Sequence, residues 1–370
     1  MSLTTMNSTH KLIKGEIEKF TTAELEPIAS DIEQDGLIPP DIIRKISEMG
    51  LLGLTTPESY GGSGLDVMSL CIALEELSKS CASLAMIVAV NNCLVTYPLT
   101  RFGNAEIKEE YLRKISDGII GGYAPYSEVE LSGTEHVLES EGSNRYVSNR
   151  YDVVLNGASA GFLIIPVKSE PGVSLFLINK GAPGLNSYAI RTMGLRGAGI
   201  TGLELKHKDL TGDKRLVEAE SGYQAVQATL DFAHIGFSAV ALGLAQASLD
   251  SSIRYAKERK QFGRAIAEFP MVQEILADMK ITVEKSRLFV YEAAQSFDRG
   301  EEYRTIARIA CLTSCEGAVK SGLQAIQIHG GYGYTKDYPV ERYFRDAKSL
   351  QLLGETPSDL KTKIAKETLL

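Results

Sequence analysis

The chain has 370 residues, 44% of them hydrophobic and 23% charged, enough for a large core or for two to three domains. Its 47 Asp and Glu against 39 Lys and Arg leave a net charge of −8, which argues against a nucleic-acid binder, whose affinity would rest on a basic surface. Five cysteines, odd in number and without CxxC spacing, read as reduced core residues of a cytoplasmic protein, and five scattered histidines give no metal constellation.

Residues 8–53 repeat apolar side chains every three or four positions (Ile13, Ile17, Phe20, then Ile42, Ile46, Met49), with Pro39-Pro40 opening the later helix and Gly50 to Gly53 closing it. The stretch PESYGGSG from Pro57 to Gly64 follows. It reads as a loop between helices rather than a phosphate cradle, because no strand precedes it and no Lys follows its glycines. From 67 to 119 the helical pattern resumes, and CASLAMIVAV (81–90) predicts a buried helix, too short to span a membrane. No window approaches about eighteen uncharged apolar residues, and the N-terminus lacks an export signal. Residues 1–120 are therefore expected to form a helical domain.

The period changes near Gly121. Segments 151–157, 161–168, 173–180 and 201–208 are apolar or β-branched and separated by turns such as SEPG and GAPG, which predicts a small antiparallel β domain over 121–218. GLRGAG (194–199) lacks the spacing and flanks of a dinucleotide-binding turn. Helical runs at 230–260, 271–298, 303–329 and 358–369 then predict a C-terminal helical bundle over 219–370, with Ala and Gly on faces that approach their neighbours closely. The fold class expected is α+β and multidomain, in the order helices, strands, helices.

Gly330-Gly331 ends the 303–329 run and can turn backbone amides outward toward an anion or a flat ring. Beyond it, Arg345-Asp346 can serve merely to lock a loop to a helix. Arg259 to Gly263 place a cation, an amide and an aromatic ring just past a long helix, a pattern that a helix C-terminus and a core anchor also explain.

The string QIHGGYGYTKDYPVERYFRDAK (327–348), followed by a Gly/Glu/Thr cluster, resembles the C-terminal signature of the acyl-CoA dehydrogenase family, and PESYGGSG and RKQFG add to the resemblance over most of the chain. The resemblance implies an FAD enzyme oxidising the Cα–Cβ bond of an acyl-CoA or carrier-bound thioester, with an electron-transferring flavoprotein as acceptor. It also implies a homo-oligomer, dimer or tetramer, in which Arg259 and Gln261 reach the FAD pyrophosphate of a neighbouring subunit, Phe262 packs near its rings, and Gln327, Gly330 and Gly331 hold the adenine end. Thr356 is a further flavin contact, and Tyr126 and Ser132 are the middle-domain ones.

The chain departs from the family pattern in two places. Around the flavin, Tyr126-Ser127-Glu128 and Leu131-Ser132-Gly133 stand for Thr-Glu-Pro and Gly-Ser-Asp, and Val153 stands for a tryptophan in a chain without Trp. At the base, counting from RDAK puts Gly354 where the family has its Glu, with Glu355 next and Thr356 in register. The family's second location for a base corresponds to Ala233-His234. Either Glu355 swings in as the base, its pKa raised toward neutrality by desolvation, or it faces solvent and ordinary dehydrogenase chemistry is absent. His234 reads as a helix histidine satisfied inside the bundle, with a substrate-side role as the sharper option, and Asp231 as a thioester-side contact or a paired carboxylate. The rival expectation is a non-catalytic subunit pairing with a complete homologue in a hetero-oligomer.

Overall fold

Helix α1 (Ser8–Phe20) begins at Asn7, whose side chain accepts the His10 amide at 2.8 Å, as Asn does at an N-cap. The structure, a computed structural model, describes residues 6–125, 139–141, 144–169 and 171–369. Short helices α2 (Ala29–Asp35) and α3 (Pro40–Glu48) lead through the Pro57 to Gly64 loop to α4 (Val67–Ser80). The N-terminus of α4 receives two carboxylates. Asp66 accepts the Ser69 amide at 2.8 Å, and Asp298, from a distant helix, accepts those of Val67 and Met68 at 2.9 and 3.1 Å. Four orphan amides and a positive dipole end explain why acids gather there.

The apolar run 81–90 forms α5 (Ala82–Ala89), buried throughout. It continues through a π-turn, Val90–Thr96, into α6 (Tyr97–Phe102). Helices α7 (Ala105–Ile107) and α8 (Arg113–Ser116) complete the N-terminal part. All five cysteines are buried and free, and burial pushes the Cys93 thiol up to about 12.

Among the described residues eight strands follow: β1 (Gly121–Tyr123), β2 (Glu139–Glu141), β3 (Asn144–Val154), β4 (Phe162–Ser169), β5 (Gly172–Asn179), β6 (Leu185–Ala189), β7 (Thr201–Asp209) and β8 (Lys214–Val217). They make two sheets, ordered β1-β4-β5-β8 and β2-β3-β7-β6, antiparallel except where β1 runs parallel to β4. Alternate residues of β4 face two cores. Leu163, Ile165 and Val167 pack with Tyr151, Leu203 and Leu205 of the other sheet, while Phe162 and Ile164 join the helical core. Burial on both faces is why this strand is apolar without alternation. The sequence missed β1, β2, β6 and β8, which are short or lie at sheet edges.

The bundle is built on α9 (Ala219–Glu258), a 40-residue helix. Its glycines sit where neighbours come closest: a Cβ at Gly222 would lie 1.5 Å from the Val173 carbonyl oxygen, and one at Gly243 would lie 2.3 Å from that of Glu75. A two-residue hairpin, β9 (Lys260–Gln261) and β10 (Arg264–Ala265), leads to α10 (Pro270–Asp298), α11 (Arg304–His329), α12 (Val340–Leu350) and α13 (Pro357–Thr368). Two helical stretches, Ala82–Phe102 and Ala219–Glu258, are long and apolar enough to cross a membrane, contrary to the expectation from the sequence, but 94% of each apolar window is buried inside the fold.

Candidate active site

The carboxyl of Glu355 lies in the turn between α12 and α13, against α9. Gly354, with φ +82°, makes the turn, and Thr356 caps α13, its hydroxyl 3.3 Å from the Asp359 amide in a capping box. Thr356 is thus committed to the helix end. Glu355 Oε2 lies 3.1 Å from Nε2 of His234, and Oε1 is paired with Lys363 Nζ, which also donates to Gln227 at 2.5 Å.

The Glu355 side chain is 10% exposed. Burial pushes its carboxyl up, but the adjacent His234 and Lys363 outweigh it and hold it at about 2. The surroundings expected for this residue are corrected on two points. It does not face solvent, and it is not raised toward neutrality, because a lysine seven residues into α13 neutralises it.

His234 is 3% exposed, as expected of a bundle histidine, yet its ring is not satisfied. Neither ring nitrogen makes a hydrogen bond among the described residues, nor does Glu355 Oε2: the pair is close enough for Coulomb attraction but out of line for a bond. Nδ1 lies 3.9 Å from Asp231 Oδ1. Asp231 itself is bound by Arg308, whose Nε and Nη2 donate at 3.0 and 2.6 Å, and Arg308 also pairs with Glu367. Asp231 is therefore a buried structural partner rather than a free thioester contact. The sequence did not bring out Lys363 or Arg308. For Arg308 a signal existed, since two charges on apolar helix faces, Asp231 and Arg308, imply each other.

A second site lies at the far end of α9. Arg259, Gln261, Gly330 and Gly331 line one groove of about 470 Å³, together with Tyr255, His329, Tyr332 and Thr335. The Arg259 guanidinium sits 5.9 Å from the Tyr332 ring centre, and Tyr255 stacks on His329 at 4.2 Å. Gly330 takes φ +59°, ψ −136°, which an L-residue rarely adopts, and a Cβ on either glycine would meet nothing within 4 Å. A guanidinium, an amide, bare glycine backbone and aromatic faces fit the pyrophosphate and ring of FAD. Gln327 is exposed beside this groove, its carbonyl accepting the Gly330 amide.

Phe262 does not pack on its own chain as a core residue would. It stands 92% exposed with φ +52° at the tip of the β9–β10 hairpin. Tyr126 and Ser132 lie outside the described residues, and Val153, at the tryptophan position, is 38% exposed. Arg345 and Asp346 bind a loop to a helix: Asp346 Oδ1 accepts the Leu195 amide at 2.6 Å, and Arg345 donates to the Met193 carbonyl at 2.9 Å and to Glu33 at 2.5 Å.

Comparison with known proteins agrees with this architecture. Residues 7–119 match the model of the acyl-CoA dehydrogenase N-terminal domain, and 220–368 that of the C-terminal domain. The chain is 34% identical to an acyl-CoA dehydrogenase of Bacillus subtilis over 93% of its own length and 94% of the relative's. It is 27% identical to butyryl-CoA dehydrogenase of Megasphaera elsdenii (TM-score 0.94; 99% of each chain). It is 28% identical to the prolyl acyl carrier protein oxidase AnaB (TM-score 0.93; 99% of this chain and 100% of that one). With two family domains in order and a relative of this similarity over nearly the whole length, the chain belongs to the acyl-CoA dehydrogenase family, FAD-dependent flavoprotein oxidoreductases acting on CH–CH bonds.

Proposed function

We propose that this chain removes two hydrogens from Cα and Cβ of an acyl thioester, acyl-CoA in the first instance, in the cytoplasm. We further propose that it acts as a homo-oligomer, a dimer or tetramer, and hands its electrons to an electron-transferring flavoprotein. The observation that carries the reading is the 3.1 Å contact between His234 and Glu355. It joins the two stretches, Ala233-His234 and Gly354-Glu355, that correspond to the family's two alternative locations for a base.

FAD, when bound, supplies the hydride acceptor. Arg259 would offset the charge of its pyrophosphate, Gln261 would hydrogen-bond beside it, and Gly330 and Gly331 would let the adenine end approach the backbone. The 92% exposed Phe262 beside Arg259 and Gln261 supports the reading that this corner is completed by a second copy. Within the N-terminal half of α9, the His234–Glu355 pair, buried in the bundle, holds the acid–base group for the α-proton.

Absorbance and turnover test this. Purified protein should carry a flavin band or acquire one with FAD, and butanoyl-, octanoyl- or glutaryl-CoA should bleach it under nitrogen. A flavin spectrum indifferent to every thioester overturns the reading. One observation favours a second: Gly354 stands at the usual base position, and Glu355 is already paired with Lys363. A subunit that completes a catalytic homologue would show this, and would regain bleaching only when co-purified with that homologue. Similarity to the carrier-protein oxidase AnaB supports adding an acyl carrier thioester to the panel.

A further inference from the structure

Resting on that functional reading, we propose that His234 is the catalytic residue that receives the α-proton and that Glu355 is a positioning residue. Gly354 leaves the side-chain place opposite α9 open. A Cβ there would meet Phe237 Cε2 at 3.5 Å and Leu230 Cδ2 at 4.0 Å, both on α9. Leu230, His234 and Phe237 are spaced i, i+4 and i+7, so they form one stripe of that helix, and the imidazole stands between the two residues that face the glycine. The turn without a side chain and the histidine confront each other.

A base needs an uncommitted lone pair and an affinity for protons matched to the medium. Glu355 has given one oxygen to Lys363, and Asp231 is bound by Arg308. Among the described residues the imidazole has no hydrogen-bond partner at either nitrogen. The Lys363 ammonium against Glu355 already holds it in an ion pair, whereas no cation lies against the imidazole among the ion pairs of the described residues.

The surroundings suit an imidazolium once formed. Glu355 lies 3.1 Å from one nitrogen and Asp231 3.9 Å from the other. Further titratable or charged groups around this pair, among the described residues, include Arg304, Arg308, Cys311 and Cys315 of α11, Lys363 and Glu367 of α13, and Tyr97 and Tyr303. The step balances. The Cα–H bond breaks and its proton passes to an imidazole nitrogen; the electron pair left behind forms the Cα=Cβ bond as hydride leaves Cβ for oxidised flavin. The thioester is oxidised by two electrons and the flavin reduced by two.

The test separates proton removal from hydride transfer by following exchange of the α-hydrogens of butanoyl-CoA, octanoyl-CoA and glutaryl-CoA with deuterated water. His234→Gln should keep FAD and lose about 100-fold or more of the exchange rate. Glu355→Gln should lose about 10-fold and displace the pH profile, with Glu355→Asp recovering part of both. Independently of turnover, the His234 nitrogen resonances of the holoprotein should move on addition of butanoyl-CoA in the wild type. Exchange that survives His234→Gln overturns the inference alone, as does a His234 resonance unmoved by a thioester that does exchange, even if no variant folds. Wild-type protein that exchanges none of the three overturns the functional reading and takes this inference with it.

Discussion

Asp346 Oδ1 accepts the Leu195 amide at 2.6 Å, tying α12 to the loop between β6 and β7. Beside it, Arg345 holds Met193 of the same loop and Glu33 of α2, so adjacent residues of one helix clamp all three parts of the chain. The backbones meet closely: a Cβ at Gly194 would lie 2.3 Å from the Arg345 carbonyl carbon.

Burial pushes the Asp346 carboxyl up to about 7, against the pull of the Leu195 amide. A carboxyl raised in the folded state favours folding when protonated, so its contribution is full below about pH 4 and is lost as pH rises toward 7. Asp346→Asn keeps an acceptor for Leu195 and cannot ionise. Denaturant titrations should therefore show the wild type losing roughly 2–4 kcal/mol relative to the variant between pH 4 and pH 8. A constant difference across that range would refute the assignment.

Glu355 behaves in the opposite sense. With its carboxyl held at about 2 by His234 and Lys363 against burial, it stabilises the fold above the ordinary glutamate range and ceases to do so as pH falls from about 4.5 to 2. Glu355→Gln should lack that acid-limb loss, which amounts to about 2–3 kcal/mol in the wild type. Chemical denaturation at pH 5 and pH 3 reads the difference.

Removing Asp231 strands a buried cation. Arg308 is 7% exposed and keeps only Glu367, so Asp231→Ala should cost about 2–4 kcal/mol and lower the melting temperature. Pairing it with Arg308→Met should recover much of that loss. A double variant no more stable than the single one would show that the two side chains act separately.

At the groove, Arg259→Ala should weaken FAD retention about tenfold or more while leaving the melting temperature of the FAD-free protein within about 2 °C, because an exposed side chain contributes little to folding. Phe262→Ala, at a residue 92% exposed, should likewise spare the chain's own stability and lower its state of association, measured by light scattering. A monomer-stability loss as large as a core substitution would mean the ring packs within its own chain.

The helical thirds were legible because apolar side chains recur with the helical period, and β4 because both its faces are buried. Polar edge strands such as β6 escaped, since mostly exposed residues carry no alternation. The Gly-Gly turn was legible as a place for an anion or a flat ring, and the Arg259–Gln261 string as flavin contacts through the family resemblance, because each is local in sequence; that they line one groove is seen only in the fold. The surroundings of Glu355 were not: its partners come from α9 and α13, and only the folded chain shows that a lysine neutralises it and that the histidine beside it goes unpaired.

The backbone at Gly354 makes a glutamate hard to install there by changing one letter. With φ at +82°, any L-residue placed there carries a left-handed conformation that costs about 1–2 kcal/mol, whatever room its side chain finds beside Phe237. Sequence and backbone are therefore coupled in this turn: seating a carboxylate there without strain requires re-routing Leu353 to Thr356 as a unit, including the cap that starts the last helix.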